Sequence, residues 1–372
     1  MIVDGQQVAG LPKTENLSKA MVDVMEQPLH ERIRILRDIE FLDEKVDSIS
    51  GYMERFLSSV MSELKFAFSE FEERSLYSVH RSLFLLYELQ VIDPAHSAAT
   101  NQYSVFLQKV KSAIESSWLA SQAVASFVEA EPIYDIEEQL VKLYESHPVT
   151  NHRLFDYLRD TADMDQLISF FKSDCALNNR FFDLIVLTLV GARPNTRVEI
   201  SKNIWDEAGQ GNAGKSHVEL YNSLLVSLDI DLVGDDYASL LSWQGLEGYN
   251  LFMMGALNRQ HYFKLLGIMA MTEMLDPQNY DKLISGCRRL GVCDELQLAY
   301  YEEHAEIDIL HAKGWVESVV RPIVKDTPSA GQEIYIGAKY RLDSCNRYYD
   351  YLLNALESER ASRIHEGFAS RK

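Results

Sequence analysis

The residues best suited to chemistry lie in the segment YYEEHAEIDILHAKGW. His304, Asp308 and His311 stand at i, i+4 and i+7 on what reads as one long helix. At about 3.6 residues per turn these positions fall within about 60° of one another, so two imidazoles and a carboxylate project from one face. Such a set suits iron, manganese or zinc. The competing reading is a solvated acidic face, because Glu302, Glu303 and Glu306 share the stretch. A metal site built on helices needs further ligands from neighbouring helices, and two segments offer them. NIWDEAGQGNAGKSHVELY carries Glu207 and His217, and GIMAMTEMLDP carries Glu273 near the end of an otherwise apolar helix. A lone Glu among Met, Ala, Leu and Ile is costly to bury unless it is paired, protonated or bound to a cation. The alternative is that Glu273 sits at a helix end and faces water.

The elements that must position these groups read as helix after helix. Apolar residues recur at three- and four-residue spacing in LHERIRILRDIEFLDEKV, in YMERFLSSVMSELKFAFSEFEE and in DIEEQLVKLYE. Alternating strand-like runs are nearly absent, so the expected class is all-α. Pro94, Pro132, Pro148, Pro194 and Pro277 stand where a helical pattern stops or starts, and Asn279 to Leu290 reads as a short helix ended by Gly291. The first fifteen or so residues and the tail ESERASRIHEGFASRK read as frayed ends. A boundary falls near VEAEPIYD, which divides the chain into a helical extension at 1–130, a scaffold or dimerisation region, and a second domain at 131–360. A homodimer is compatible with that extension.

Composition narrows the function classes. The 372 residues carry a formal charge of −20, which argues against a nucleic-acid-binding surface and against an anionic membrane surface. The four cysteines, Cys175, Cys287, Cys293 and Cys345, form no C-x-x-C pair, so a thiolate zinc site and a disulfide framework are not expected. The N-terminus lacks the apolar stretch of a signal peptide. FFDLIVLTLVGA is too short to span a bilayer and contains Asp183. A cytoplasmic protein is the expectation.

Several patterns are set aside. GQGNAG, from Gly209 to Gly214, matches a dinucleotide fingerprint, but a helical segment rather than a strand precedes it, so the glycines read as a turn between helices. H-E-x-x-H is absent, which excludes a zincin, and so is E-x-x-H, on which ferritin-like diiron bundles are built. His30, His80, His96, His147, His152 and His261 lack partners at ligand spacing and read as surface or helix-terminal residues.

The order DE-x-G-x-G-x5-H (Asp206, Glu207, Gly209, Gly211, His217), an apolar helix holding Glu273, RRLG at Arg288–Gly291, and H-x3-D-x2-H at His304–His311 resembles the haem-oxygenase-like diiron oxidases and oxygenases, a family of iron-containing redox enzymes. Upstream, HPVTNHRLFDYLRD, FFKSDCALNNRFFDL and GARPNTRVEISKN look similar to the same family, so that the resemblance covers roughly residues 131 to 340. The N-terminal region resembles, more weakly, an extension that some members carry. The resemblance implies a haem-oxygenase-like helical bundle with Glu207, His217, Glu273, His304, Asp308 and His311 as ligands of two Fe(II)/Fe(III) ions, one Glu bridging. Where the family commonly has Thr and Ser after the third-helix Glu, this chain has MLDP, a difference that points to the substrate pocket rather than the metals.

The resemblance further implies O2 as cosubstrate, a small-molecule substrate and an external electron donor. N-oxygenation of an amine, amino acid or guanidine group, as in natural-product biosynthesis, is the preferred reaction. Oxidative C–C cleavage of a fatty acid or amino acid is the alternative. A metal-free helical interaction protein is the alternative from another class, and haem degradation rests on fold alone.

Overall fold

The structure, a computed structural model, describes residues 21–125, 135–230, 238 and 240–369. Helices account for all its regular structure, and the described residues contain no strand. The chain divides into two compact units, Met1–Ala123 and Val124–Lys372. The boundary expected at VEAEPIYD, residues 128–135, lies outside those described except for Asp135, and the first twenty residues lie outside them too.

In the first unit, helices α1 (Leu29–Arg37), α2 (Leu42–Ser48), α3 (Tyr52–Phe68), α4 (Glu73–Glu88) and α5 (Val105–Ala125) follow one another. The α3 stripe Tyr52, Phe56, Val60, Leu64 and Ala67 is fully buried, at the three- and four-residue spacing of one helix face. The run read as one helical pattern from Leu29 is broken, because Phe41 takes a left-handed conformation with φ 54° between α1 and α2. Asp43 then caps α5 from a distance: its carboxylate accepts from Ser104 Oγ at 2.7 Å and from the backbone N–H groups of Val105 and Phe106 at 2.8 and 3.0 Å. Burial opposes its charge, yet these donors hold the Asp43 carboxyl below its ordinary value. His80 lies buried within α4, contrary to the surface or terminal position expected for it.

The second unit comprises α6 (Ile136–Ser146), α7 (Arg153–Asp160), α8 (Met164–Asn178), α9 (Phe181–Leu189), α10 (Arg197–Glu207), α11 (His217–Ser227), α12 (Trp243–Leu257), α13 (Tyr262–Arg289) and α14 (Glu295–Gly314). A π-helical turn, Trp315–Val320, joins α14 to α15 (Arg321–Asp326), and α16 (Ala330–Ala369) closes the chain. His96, His147 and His152 are helix-terminal as expected, each accepting a backbone N–H at a cap through its ring. The tail expected to fray is instead helical as far as Ala369.

Helix α13 is the spine of this unit and packs on α16, α14, α7 and α12. Its approach to α16 is so close that a Cβ at Gly267 would overlap the Ile334 carbonyl, and one at Gly337 would overlap the Lys264 carbonyl. The break expected at Pro277 does not occur. One helix of 28 residues runs through it, so Asn279–Leu290 is no separate element, although Gly291, at φ 86°, does follow the helix end. Proline removes a single donor, the N–H that would serve the Glu273 carbonyl four residues earlier. Packing on several neighbours carries the helix past that loss. Glu273 therefore sits in mid-helix, 2 % exposed, rather than at a wet end.

Candidate metal centre

Helix α10 delivers Glu207 as its last residue, and α11 begins with His217. Between them the chain doubles back through two short 3-10 turns, Gly209–Gly211 and Ala213–Lys215, so the glycine run acts as the expected turn between helices. Gly209 makes this return feasible: its φ is 64°, and a Cβ there would overlap the Lys215 backbone. The result places Glu207 Oε2 3.0 Å from His217 Nδ1. From α14, His304 Nε2 approaches Glu207 Oε1 at 3.9 Å, and its ring centroid lies 4.1 Å from that of His217. One turn along α14, Asp308 and His311 meet Glu273 from α13, with His311 Nδ1 3.5 Å from Glu273 Oε2 and 3.7 Å from Asp308 Oδ1.

The six residues singled out in the sequence thus come together as two groups: Glu207, His217 and His304, and Glu273, Asp308 and His311. Within each group one donor atom per residue lies within 4.8 Å of the others. All six side chains are buried, with residue exposures of 2 to 5 %. Several donors have no hydrogen-bond partner: both ring nitrogens of His217, despite its nearness to Glu207, and Glu273 Oε1. Buried polar atoms are seldom left so, and a metal ion is one partner that would satisfy them. The donor set fits iron on chemical grounds as well, because it joins carboxylates to imidazoles and contains no thiolate.

The rings are oriented by neighbours that the sequence did not reveal. His304 Nδ1 lies 2.7 Å from the Tyr300 carbonyl, an acceptor only, so Nδ1 carries the proton and Nε2 keeps its lone pair. Burial and the neighbouring His217 push His304 down to about 3, which leaves a neutral ligand-competent imidazole. His311 presents Nδ1 to the carboxylates and Nε2 to Asp206 Oδ2 at 3.1 Å. Burial opposes its charge, but its hydrogen bonds with Asp308 and Glu273 outweigh that and push His311 up to about 11. Burial, with Glu273 beside it, pushes the Asp308 carboxyl well above its ordinary value. In the other group burial lowers the pKa of His217, and Glu207 more than restores it.

A cavity abuts the two groups. Glu273, His304 and Asp308 line it together with Asp174 from α8, Thr272, Asp276 and Tyr280 from α13, Tyr300 from α14 and Arg341 from α16. Its remaining walls include Phe155, Phe170, Phe181, Leu241, Tyr249 and Leu352. Burial pushes the Asp276 carboxyl up to about 7, with the Arg341 charge working against it. Burial also holds the Tyr280 and Tyr300 phenols well above their ordinary value, so both keep their protons. Asp276 belongs to the MLDP segment after Glu273 and does line this cavity. Arg341 escaped the sequence reading, although a signal was present: Ile334, Ala338, Arg341 and Cys345 form a buried stripe with one cation among small and apolar residues.

Among the described residues no helix is long and apolar enough to cross a membrane. A comparison with curated proteins finds no match. The stretch that matches a family description contains all six grouped residues together with Asp174 and Arg341. Residues 169–345 match the family described as iron-containing redox enzymes.

Proposed function

We propose that this chain is an O2-dependent non-haem diiron oxygenase that oxidises the nitrogen of a small amine-bearing molecule. The observation that supports this reading is the pair of buried carboxylate–imidazole groups on α10, α11, α13 and α14. Glu207, His217 and His304 would hold one ion, and Glu273, Asp308 and His311 the other, with a Glu as the bridging carboxylate. Bound iron would supply the electrons that reduce O2, and an external donor would restore them. The chain's own part is to hold and screen. The Tyr300 carbonyl and Asp206 aim two of the three rings, and burial of every ligand keeps bulk water from the centre. Asp174 and Asp276 on the cavity wall offer carboxyl oxygens to the N–H groups of an amine, which favours an amine-bearing substrate. One observation favours a second reaction: Arg341 faces the same cavity and suits a carboxylate, as oxidative C–C cleavage of an acid would require.

An anaerobic Fe(II) titration followed by O2 exposure in stopped-flow absorbance tests this reading. Two irons per chain and a transient visible band are expected. His304→Ala and Glu207→Ala should each lose iron while keeping their helical circular dichroism. Unchanged iron stoichiometry in both variants would sink the proposal and favour a metal-free interaction protein. Product analysis separates an N-oxygenated product from a cleaved acid.

A further inference from the structure

Tyrosines cluster beside the candidate ligands. On α14 the Tyr300 ring centroid lies 4.2 Å from that of His304, and the Tyr301 centroid lies 5.0 Å from that of Tyr300. The Tyr280 ring from α13 is 5.0 Å from Tyr301, and the Tyr221 ring from α11 is 5.0 Å from Tyr300. These are separations of rings in contact. Two such contacts connect His304, which is grouped with Glu207 and His217, to Tyr301. All four tyrosines are buried. Phenylalanine would serve packing alone, without a hydroxyl that must find a partner in the core.

The hydroxyls meet different acceptors. Tyr221 donates to the Phe171 carbonyl at 2.7 Å, a group that takes up no proton. Tyr301 donates to Asp174 Oδ2 at 3.3 Å, and Asn178 Nδ2 donates to the same oxygen at 3.0 Å. A phenol that loses one electron becomes a strong acid, so its oxidation is eased where a base in hydrogen-bond contact receives the proton. Asp174 is such a base for Tyr301. Burial raises the Asp174 carboxyl above its ordinary value, so it holds a received proton more firmly than an exposed carboxylate would. The transfer also removes a buried negative charge, because carboxylate and phenol become carboxylic acid and neutral radical. Tyr280 is hydrogen-bonded to Asp276 in a similar way, but both residues line the cavity, where a guest would meet a radical. Tyr301 lies behind Tyr300 and is not among the lining residues.

We propose that Tyr301 and Asp174 form a one-electron donor couple that discharges the neighbouring iron site when no substrate occupies the cavity. An electron leaves the Tyr301 phenol through the Tyr300 and His304 rings for iron that O2 has oxidised, and lowers that iron by one oxidation state. The O–H bond breaks, its proton passes to Asp174 Oδ2, and a phenoxyl radical stays on Tyr301. A one-electron donor from outside returns the radical to phenol. The discharge rests on the oxygenase reading, which supplies its oxidant, whereas the couple itself requires only the chain.

Freeze-quench electron paramagnetic resonance tests the assignment on the full chain, loaded anaerobically with Fe(II) and then given O2 without substrate. A tyrosyl radical signal is expected, and it should narrow when ring-deuterated tyrosine is incorporated. Tyr301→Phe keeps the ring, and Asp174→Asn keeps the phenol but removes the base. Each should lose the signal. Tyr280→Phe removes the competing phenol and should retain it. Circular dichroism confirms that each variant is folded, and Asp174→Asn reads the same step if Tyr301→Phe is not. A photogenerated ruthenium(III) complex provides an oxidant for the chelator-treated chain, whose long-lived tyrosyl radical should vanish in Tyr301→Phe. Iron content is measured on the same samples. Two bound irons without a tyrosyl radical overturn this proposal alone. So does a signal of wild-type amplitude in Tyr301→Phe or Asp174→Asn, or its loss in Tyr280→Phe. No bound iron, with a Tyr301-dependent radical after photo-oxidation, condemns the metal reading and leaves the donor couple standing. No bound iron and no such radical condemn both.

Discussion

His311 Nε2 lies 3.1 Å from Asp206 Oδ2, while the opposite ring nitrogen faces Glu273 and Asp308. The imidazole is therefore spanned between carboxylates, with one nitrogen turned to the candidate ion and the other to a residue that tunes it. Gln210 Nε2 donates to the other Asp206 oxygen at 3.0 Å and holds that carboxylate in place. An outer carboxylate of this kind raises the basicity of a histidine ligand and fixes its tautomer.

Asp206→Asn should accordingly weaken one ion and spare the other. A neutral amide still accepts a hydrogen bond but supplies no charge. The expected loss is about 10–100-fold in affinity at the Glu273–Asp308–His311 group. Anaerobic Fe(II) titration should then show one weak and one ordinary site. Two sites of wild-type affinity would refute the role given to Asp206.

Gly209 controls the approach of His217 to Glu207. An Ala there must adopt φ 64° and displace the Lys215 backbone. Gly209→Ala should lower stability by about 2 kcal/mol or more in urea denaturation. It should also reduce iron at the Glu207–His217–His304 group before the other. Wild-type stability would mean that the turn relaxes freely, contrary to the packing seen.

Asp343 provides a pH test remote from the metals. Burial raises its pKa, but His147 Nε2 at 3.1 Å from Oδ1 and Lys339 Nζ at 2.8 Å from Oδ2 pull it down to about 2, from an ordinary value of 3.8. A carboxyl whose folded pKa is depressed stabilises the fold above its unfolded pKa, and that contribution is lost as pH falls from 3.8 through about 2. The shift corresponds to about 2 kcal/mol at neutral pH. Asp343→Asn should lose most of that at pH 7. The gap between wild type and variant should narrow by about 1 kcal/mol between pH 6 and pH 3. A gap that stays constant with pH would show that the pair contributes nothing.

The all-α class, the His304–Asp308–His311 face and the turn at Gly209 were legible in the sequence, because helical periodicity and glycine conformation are local properties. The order of the motifs was enough to propose Glu207, His217 and Glu273 alongside them. Other features depended on what packs opposite. Pro277 reads as a stop, and only contacts on several sides of α13 keep the helix continuous through it. His80 looks like a surface residue until α4 is seen to be buried around most of its circumference. Asp206 stands in the DE motif and Arg341 in a buried helical stripe, but nothing local says what either one faces. Their partners, His311 and Thr272, lie 105 and 69 residues away in the chain. Local pattern determined which side chains share a helix face, since that follows from 3.6 residues per turn. Tertiary packing alone decided which faces meet, and so which carboxylate tunes a histidine and which guanidinium lines the cavity.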